Sequence, residues 1–282
     1  MEIIIGKTAG FCFGVKNAVD NTLEELNKEK IAYCLGELVH NKQVTEELIS
    51  KGAIFIDNIE EAKNKAIIRA HGVPKNVYDK AQKLQIELKD LTCPKVLAIH
   101  KLAIKYSKEN CYIFLVGQKI HPETIGTASF CGENCSIIEN MEDVKNELEN
   151  FKKSKVENAV VLAQTTISLE KFNSIVQELK KYIKNIEVKN TICASTKQRQ
   201  EETKEISKKV ECMIIVGGKH SSNSNKLYEI AKKNCKNVFF AETKEDLDLE
   251  IIKKFKSLGI MAGASTPQKS VSEIVDIIKK TC

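Results

Sequence analysis

The stretch Gly10-Phe11-Cys12-Phe13-Gly14-Val15 places a cysteine between two glycines, where a short strand gives way to a helix. Two later stretches share this design: Leu91-Thr92-Cys93-Pro94 and Thr191-Ile192-Cys193-Ala194. In each, one cysteine follows an extended segment and precedes a helical run. A helix start offers unpaired N–H groups and the positive end of the helix dipole, which favour a thiolate. We therefore predict that the three cysteines are ligands of one metal centre.

The spacing of the polar loops indicates a threefold repeat. Each cysteine is followed 28 residues later by a polar residue after an apolar, strand-like run: His40, His121 and Ser221. A second polar loop comes 44 residues after His121 and Ser221, at Thr165 and Ser265, and 31 residues after His40, at His71. This period is longer than that of common solenoid repeats, so it favours three β-α-β-rich lobes.

The predicted fold class is therefore α/β, with three similar lobes of mainly parallel sheet around a pseudo-threefold axis. Loops beyond the carboxyl ends of parallel strands gather at one edge of a sheet and form its ligand crevice. Three lobes around one axis would bring three crevices, and with them the three cysteines, to one centre. We expect the lobes to span 1–95 with the N-terminal strand, 96–193, and 194–282 with a closing C-terminal helix.

Charge and composition exclude several partners. The net charge of +6 comes almost wholly from lysine, because Arg69 and Arg199 are the only arginines. The lysines alternate with acids on helical stretches, which is typical of solvated helix faces. No RNA-binding aromatic signature or zinc-finger spacing accompanies them, so we predict no nucleic-acid partner. With so little arginine, a phosphate site would have to use other donors.

The chain also lacks targeting signals. No run approaches the ~18 apolar residues of a transmembrane helix, so we predict no membrane partner. Residues 1–7 have neither the basic start nor the long apolar region of a signal peptide, and we expect a cytoplasmic protein. In that compartment the ten cysteines are not expected to form a disulfide framework. The absence of Cys-x-x-Cys argues against a zinc ribbon, a thioredoxin-type site and a ferredoxin-type cluster run.

Three thiolates around one centre suit two metal groups. Zinc could take three cysteines and a fourth ligand. A [4Fe–4S] cluster held by three cysteines would leave one iron open to substrate. The open iron could act as a Lewis acid on an oxygen ligand while the cluster supplies electrons.

The polar loops indicate an anion site beside the cysteines. They carry short donors on glycine-flanked turns: His40, His71, His121, Ser221, Ser222, Asn223 and Ser265. Ser221-Ser222-Asn223 leads into a predicted helix, whose start adds backbone donors suited to a phosphate. Because arginine is scarce, we predict a buried diphosphate site built from neutral or switchable donors. Glu123 lies two residues beyond His121, so both are expected in one pocket, where the carboxyl group could be a general acid.

The remaining cysteines and His100 are assigned to packing or surface roles. Cys34, Cys111 and Cys212 lie in or beside predicted buried strands, where cysteine behaves as a small apolar residue. Cys131 and Cys135 are four apart in a loop-like stretch without a repeat partner or a nearby histidine, so a functional pair is disfavoured. Cys235 and Cys282 have no context beyond surface or packing. Thr165 and Thr166 could also cap the helix that follows them.

Seven motifs occur in one order and span nearly the whole chain. They are Gly-Phe-Cys-x-Gly-Val at 10–15, Arg-x-His-Gly-Val at 69–73, Thr-Cys-Pro at 92–94, His-Pro-Glu at 121–123, Gln-Thr-Thr at 164–166, Thr-Ile-Cys at 191–193 and Ser-Ser-Asn-Ser-Asn at 221–225. The set resembles the motifs of the 4-hydroxy-3-methylbut-2-enyl diphosphate reductase (IspH/LytB) family. Gly-Phe-Cys alone would be a weak signal, whereas the seven together are highly specific.

The resemblance implies an iron–sulfur enzyme of the last step of the methylerythritol phosphate route to isoprenoids. Such an enzyme reductively dehydroxylates (E)-4-hydroxy-3-methylbut-2-enyl diphosphate to isopentenyl diphosphate and dimethylallyl diphosphate. One [4Fe–4S] cluster per chain would be held at the centre of the fold by Cys12, Cys93 and Cys193, with the substrate hydroxyl at its open iron. Electrons would come from an external donor such as ferredoxin or flavodoxin.

The resemblance also implies residue roles. Glu123 would be the proton donor, and Thr165 would position the substrate hydroxyl or relay a proton to it. The diphosphate would be held by His40, His71, His121, Ser221, Ser222, Asn223 and Ser265. His220 departs from the family, which usually has a small or polar residue at that position.

Two other functions stay open. One is a non-redox hydratase or dehydratase that uses the same three-cysteine cluster as a Lewis acid. The other is a non-enzymatic sensor of metal or phosphate. The absence of a Gly-x-Gly-x-x-Gly turn does not separate them from a reductase, because electrons can arrive from a separate protein.

Overall fold

The structure is a computed structural model that describes residues 1–281. Within these residues the strands form three separate four-stranded sheets, and every strand pair is parallel. The predicted α/β class with three similar parallel-sheet lobes is thereby confirmed. Cys282, assigned above to surface or packing, lies outside the described residues.

The first sheet follows strand β1 (Glu2–Ile5) and helix α1 (Phe13–Glu29) in the chain. Its strands are β2 (Ala32–Leu35), β3 (Ala53–Ile56), β4 (Lys65–Ile68) and β5 (Glu87–Asp90), and their order in the sheet is β3-β2-β4-β5. Helix α2 (Lys42–Ser50) connects the first two of these strands, and α3 (Lys75–Lys83) connects the last two.

The second sheet repeats this order as β7-β6-β8-β9. The strands are β6 (Tyr112–Val116), β7 (Cys135–Ile138), β8 (Ala159–Ala163) and β9 (Ile186–Val188). The helices around them are α4 (Pro94–Lys108), α5 (Pro122–Ala128), α6 (Met141–Ser154) and α7 (Leu169–Lys180).

The third sheet has the order β11-β10-β12-β1, so the first strand of the chain completes it. Its other strands are β10 (Cys212–Val216), β11 (Asn237–Ala241) and β12 (Ser257–Ala262). The helices are α8 (Ala194–Ser207), α9 (Ser222–Asn234), α10 (Leu249–Ile252) and α11 (Gln268–Thr281).

The position of β1 differs from the expectation that the N-terminal strand belongs to the first lobe. Strand β1 pairs with β12 from Glu2 opposite Ser257 to Ile5 opposite Ile260. The physical reason lies in the repeat: β5 and β9, the edge strands before Cys93 and Cys193, each pair with the strand that precedes them in the chain. Strand β1 has no preceding strand, so it fills the same edge position in the last sheet. The lobe boundaries 1–95, 96–193 and 194–282 stay a prediction.

The central strands are apolar on both faces because helices cover both. Strands β6, β8 and β10 are buried along their whole length, as parallel sheets of this kind require. On one face of the second sheet, Phe114 packs in a cluster with Phe172 of α7. On the other face, Leu115 packs with Ile99 of α4. Each such burial contributes about 1.5–3 kcal/mol, so the strands are rigid supports for the loops at their ends.

The chain divides into two compact units. One contains residues 17–38 and 48–193, with the first and second sheets, and the other contains residues 1–16, 39–47 and 194–281, with the third sheet. Across residues 1–281, no helix has both the length and the apolar character needed to cross a bilayer.

Candidate active site

The three predicted metal ligands occupy equivalent positions in their sheets. Cys12, Cys93 and Cys193 each follow an edge strand and directly precede a helix, at α1, α4 and α8. Their backbone N–H groups donate to the loop after the neighbouring strand, at the carbonyls of Ala264 (3.0 Å), Ala70 (3.0 Å) and Thr165 (3.1 Å). The same hydrogen bond in three sheets fixes each cysteine at the carboxyl end of its sheet.

Burial separates these three cysteines from Cys34 and Cys212. Cys12, Cys93 and Cys193 are half-buried at helix starts, a setting that suits thiolate ligands. In contrast, burial raises the pKa of Cys34 to about 12, and burial raises that of Cys212 to about 12 as well. These two are protonated packing residues, as the sequence indicated. The donor set at the three helix starts therefore fits a thiolate-bound metal group.

Glu123 is a buried acid at the start of α5. Its side chain is 2% exposed, and its carboxyl oxygens accept hydrogen bonds from the Thr165 backbone N–H (2.6 Å) and hydroxyl (2.7 Å). Burial raises the pKa of Glu123 to about 7, although the two hydrogen bonds from Thr165 act in the opposite direction. A carboxyl group with this pKa can hold or release a proton near neutral pH, which is what a general acid must do.

Sheet topology explains why Glu123 meets Thr165 across 42 residues of chain. Glu123 follows β6 and Thr165 follows β8, and these strands are hydrogen-bonded neighbours. Thr165 also accepts the backbone N–H of Cys193 at its carbonyl oxygen. One residue thus contacts both the candidate acid and the backbone of a candidate metal ligand.

His121 caps helix α5 with its ring. Its Nδ1 accepts the backbone N–H of Glu123 at 3.1 Å, so the neutral ring carries its proton on Nε2. The ring of His71, in the loop after β4, meets the His121 ring edge to face, with centroids 5.4 Å apart. Two predicted anion donors from different sheets therefore lie together, and His121 can donate its Nε2–H to a ligand.

Gln164 is a polar residue to which the sequence assigned no role of its own. It is 1% exposed, and its Oε1 accepts the Gln118 N–H (2.9 Å) and the Thr124 hydroxyl (3.2 Å). Its Nε2 donates to the Thr166 hydroxyl at 2.7 Å. Gln164 thereby ties the loop of Glu123 to the loop of Thr165. The signal was present in the Gln-Thr-Thr motif, where a glutamine follows a wholly apolar strand.

Asn223 is a buried polar side chain without a partner. It is 4% exposed in the first turn of α9, and neither its Oδ1 nor its Nδ2 has a hydrogen-bond partner among the residues described here. Leaving such groups unsatisfied costs about 1–3 kcal/mol each. Ser221 caps the same helix, its hydroxyl accepting the Ser224 N–H at 3.3 Å. Ser222 is the first residue of the helix. A helix start with an unsatisfied buried amide fits an anion-binding site.

His40 and Ser265 meet in the unit of the third sheet. The Ser265 hydroxyl donates to the His40 carbonyl at 3.2 Å. Gly218, in the loop after β10, approaches the same carbonyl so closely that an added Cβ would lie 2.5 Å from its oxygen. Only glycine allows this approach without displacement, so the backbone of His40 is held against the loops after β10 and β12.

The predicted residues divide between the two units. The unit with the first and second sheets contains Cys93, Cys193, Glu123, Thr165, His71 and His121, and the unit with the third sheet contains Cys12, His40, Ser221, Ser222, Asn223 and Ser265. All of them lie in loops or first helical turns at the carboxyl ends of strands. His100, assigned above to packing or surface, is buried and stacks on Phe130 with centroids 4.5 Å apart.

These features define a class: an α/β protein of three parallel sheets whose strand-end loops carry three equivalent cysteines, a buried acid and donors for an anion. The model of the LytB protein family matches residues 3–279. The chain belongs to the LytB family, whose members are iron–sulfur enzymes.

Relatives with the same fold have a known activity. The chain is 41% identical to the 4-hydroxy-3-methylbut-2-enyl diphosphate reductase of Clostridioides difficile (strain 630), and the match covers 99% of both. A solved structure of the E-1-hydroxy-2-methyl-but-2-enyl-4-diphosphate reductase from Plasmodium falciparum matches 98% of this chain and 87% of its own, with a TM-score of 0.90 and 31% identity. A structure of (E)-4-hydroxy-3-methyl-but-2-enyl diphosphate reductase, the terminal enzyme of the non-mevalonate pathway, covers 99% of this chain and 100% of its own. Its TM-score is 0.73 at 37% identity.

Proposed function

We propose that the protein is a 4-hydroxy-3-methylbut-2-enyl diphosphate reductase of the terminal step of the non-mevalonate pathway. It removes the hydroxyl group of (E)-4-hydroxy-3-methylbut-2-enyl diphosphate and yields isopentenyl diphosphate and dimethylallyl diphosphate. The full-length match to reductases of this name supports the assignment. The observation that carries it is the buried Glu123 carboxyl, whose pKa of about 7 and contacts to Thr165 suit a proton donor.

The reaction needs electrons and protons in equal number. One C–O bond breaks, one C–H bond forms, and the hydroxyl group leaves as water. Together these changes consume two electrons and two protons. A [4Fe–4S] cluster held by Cys12, Cys93 and Cys193 would supply the electrons and offer one open iron to the substrate hydroxyl. The equivalent positions of the three cysteines support this ligand set.

Glu123 would hold one of the protons close to the reacting oxygen. Thr165 donates both its N–H and its hydroxyl to the carboxyl oxygens, which fixes the orientation of the group. Burial keeps the carboxyl group protonated in a large fraction of molecules near neutral pH. When Glu123 is protonated, the Thr165 hydroxyl would accept the carboxyl proton and pass its own to the substrate oxygen, or it would position the substrate hydroxyl, since it contacts the acid directly.

The diphosphate would be held by neutral or switchable donors rather than by arginine. The assigned donors are His40, His71, His121, Ser221, Ser222, Asn223 and Ser265. Three observations support this set: the Nε2–H of His121, the unsatisfied Asn223 amide, and the first-turn N–H groups of α9. Such donors bind an anion through directed hydrogen bonds without the cost of burying a permanent cation.

An external protein such as ferredoxin or flavodoxin would deliver the electrons, and a cytoplasmic location belongs to the same proposal. A sensor of metal or phosphate has no need for a buried acid with a pKa of about 7, so this group favours an enzyme. A hydratase or dehydratase would use the same acid, and only electron dependence separates it from the reductase.

The test is anaerobic turnover of the purified protein with the allylic diphosphate and a chemical reductant. We expect iron–sulfur absorption and loss of the substrate hydroxyl only when the reductant is present, with both product diphosphates detected by mass spectrometry. An intact cluster without electron-dependent loss of the hydroxyl would contradict the reductase. Bound zinc in place of iron would favour the sensor.

A further inference from the structure

Cys131 and Cys135 form a thiol pair that the proposed reaction does not use. Their side chains are neighbours at the turn that connects α5 to β7, close enough for each thiol to influence the other. Both pack in the apolar cluster on one face of the second sheet, with Cys131 only 1% exposed. The sequence disfavoured a functional pair here because no repeat partner exists. The contact between the two thiols is a new observation in its favour.

The turn holds the two sulfur atoms together. Gly132 has φ +74, and a Cβ at this position would lie 2.6 Å from the Ser107 hydroxyl, so the turn requires glycine. The Cys131 N–H donates to Ala128 at 3.0 Å, and the Cys135 N–H donates to Glu133 at 3.1 Å. Because the backbone already brings the thiols into contact, little chain entropy is lost when a bond joins them.

The two cysteines differ in access. Cys135 lines an open cleft of about 670 Å³ together with Lys119, Ser136 and Glu147, so a small oxidant can reach it. Cys131 lies behind it, with its Sγ 3.4 Å from the carbonyl oxygen of Thr127 in α5. An accessible thiol that contacts a buried one is the arrangement of an attacking and a resolving cysteine.

The protonation of the pair agrees with these roles. The neighbouring Cys135 thiol, followed by burial, raises the pKa of Cys131, so Cys131 is held as a thiol. The sulfur atom that an oxidant can reach is that of Cys135, which faces the cleft.

We propose that Cys131 and Cys135 are a reversible thiol–disulfide site that reacts with a small disulfide oxidant such as oxidised glutathione. The Cys135 thiolate attacks one sulfur of the oxidant, which releases one thiolate and leaves a mixed disulfide on Cys135. The Cys131 sulfur then displaces the second thiolate and gives its proton to it. The two cysteines lose two electrons and two protons in total, and the oxidant is reduced to two thiols.

The Cys131–Cys135 pair lies just after the C-terminal end of helix α5, and the candidate acid Glu123 lies at the N-terminal end of the same helix. His121 caps helix α5, Glu123 lies in its first turn, and the Thr127 carbonyl in its last turn accepts the S–H of Cys131. The disulfide replaces this contact with a covalent link between the end of α5 and the start of β7. Its formation is independent of the proposed reaction, so it can be tested without turnover.

The test uses one tryptic peptide. Trypsin cleaves after Lys119 and after Lys145 and releases residues 120–145, which contain Cys131 and Cys135 and no other cysteine. The anaerobically purified holoprotein is treated with increasing ratios of oxidised to reduced glutathione, denatured in an alkylating reagent and digested. We expect peptide 120–145 to be lighter by two hydrogen atoms and to carry no alkyl group. After reduction with dithiothreitol, both of its cysteines should again be alkylated. The absorption of the cluster serves as the control that its ligands stay bound.

Two comparisons make the outcome specific. Cys212 and Cys235 also interact, but Cys212 is fully buried and the Cys235 thiol is directed at the Val210, Glu211 and Asn237 carbonyls, so this pair should stay reduced. Cys135→Ser should leave Cys131 reduced at every ratio. The proposal is overturned if both cysteines of wild-type peptide 120–145 are alkylated throughout, or if glutathione stays attached to Cys135 as a mixed disulfide.

Discussion

The loops after β6 and β10 occupy the same place in two sheets yet carry opposite chemistry. Glu123 and Asn223 each lie two residues after a helix-capping residue, His121 and Ser221, and are 2% and 4% exposed. Glu123 is satisfied by two hydrogen bonds from Thr165. Asn223 has no partner for its amide within residues 1–281.

The difference between these two buried side chains indicates how equivalent positions of one scaffold can serve proton transfer and ligand binding. Where the chain satisfies its own buried group, that group is oriented and its pKa is shifted, which suits proton transfer. Where the chain leaves a buried group unsatisfied, that group can bind a ligand or an ordered water. The repeat thus sets position and burial, and the side chain with its partners sets the role.

The largest loss of activity is expected from substitution of a cysteine in the three equivalent loops, where the sheets are most alike. Cys93→Ser removes one of the three proposed thiolate ligands, so iron content and activity should fall to background. Iron and sulfide analysis of the anaerobically purified variant measures this. Cys111→Ser is the matched control: burial raises the pKa of this half-buried thiol, and the variant should keep its iron. Unchanged iron in Cys93→Ser would remove Cys93 from the ligand set.

Glu123→Gln tests the buried side chain whose hydrogen bonds are made within the chain. The amide keeps the shape of the side chain and can still accept the Thr165 N–H, but it cannot donate an acidic proton. We expect kcat to fall by about 10²–10⁴-fold, the usual contribution of a general acid, with substrate affinity and cluster absorption retained. Glu139→Gln changes a partly exposed carboxylate after β7 and should act as wild type. Near-normal kcat in Glu123→Gln would refute the acid role.

Asn223→Ala tests the buried side chain whose amide has no hydrogen-bond partner in the described residues. Loss of a hydrogen bond to a charged group costs about 1.5–3 kcal/mol, so KM should rise roughly tenfold or more while kcat changes little. The free energy of unfolding without substrate should not fall, because two unsatisfied polar atoms are removed. Asn234→Ala, at the other end of α9, controls for helix effects. A stability loss with unchanged KM would make Asn223 a structural residue.

Much of the fold follows from local patterns. Short apolar runs such as residues 112–116 and 159–163 favour buried strands, and cysteine-then-helix boundaries repeat at Cys12, Cys93 and Cys193. Strand neighbours are not a local property. The pairing of β1 with β12, and the contact of Glu123 with Thr165, depend on which strands lie side by side. The unsatisfied amide of Asn223 was equally beyond the sequence, since hydrogen-bond partners depend on packing.

The most direct test of the account is the pH dependence of kcat/KM, measured anaerobically, because kcat/KM reports the ionisation of the free protein. Burial raises the pKa of Glu123 from 4.5 to about 7, so its proton-donating form is full at low pH and is lost as pH rises through about 7. The same shift makes this group's contribution to folding stability decline between pH 4.5 and about 7, because the native state binds more protons there.

We predict that kcat/KM of the wild type falls as pH rises through about 7. The residual kcat/KM of Glu123→Gln should lack this step, and Asn223→Ala should keep it. A wild-type kcat/KM that stays flat from below to above this pH, or a step that survives in Glu123→Gln, would contradict Glu123 as the proton donor.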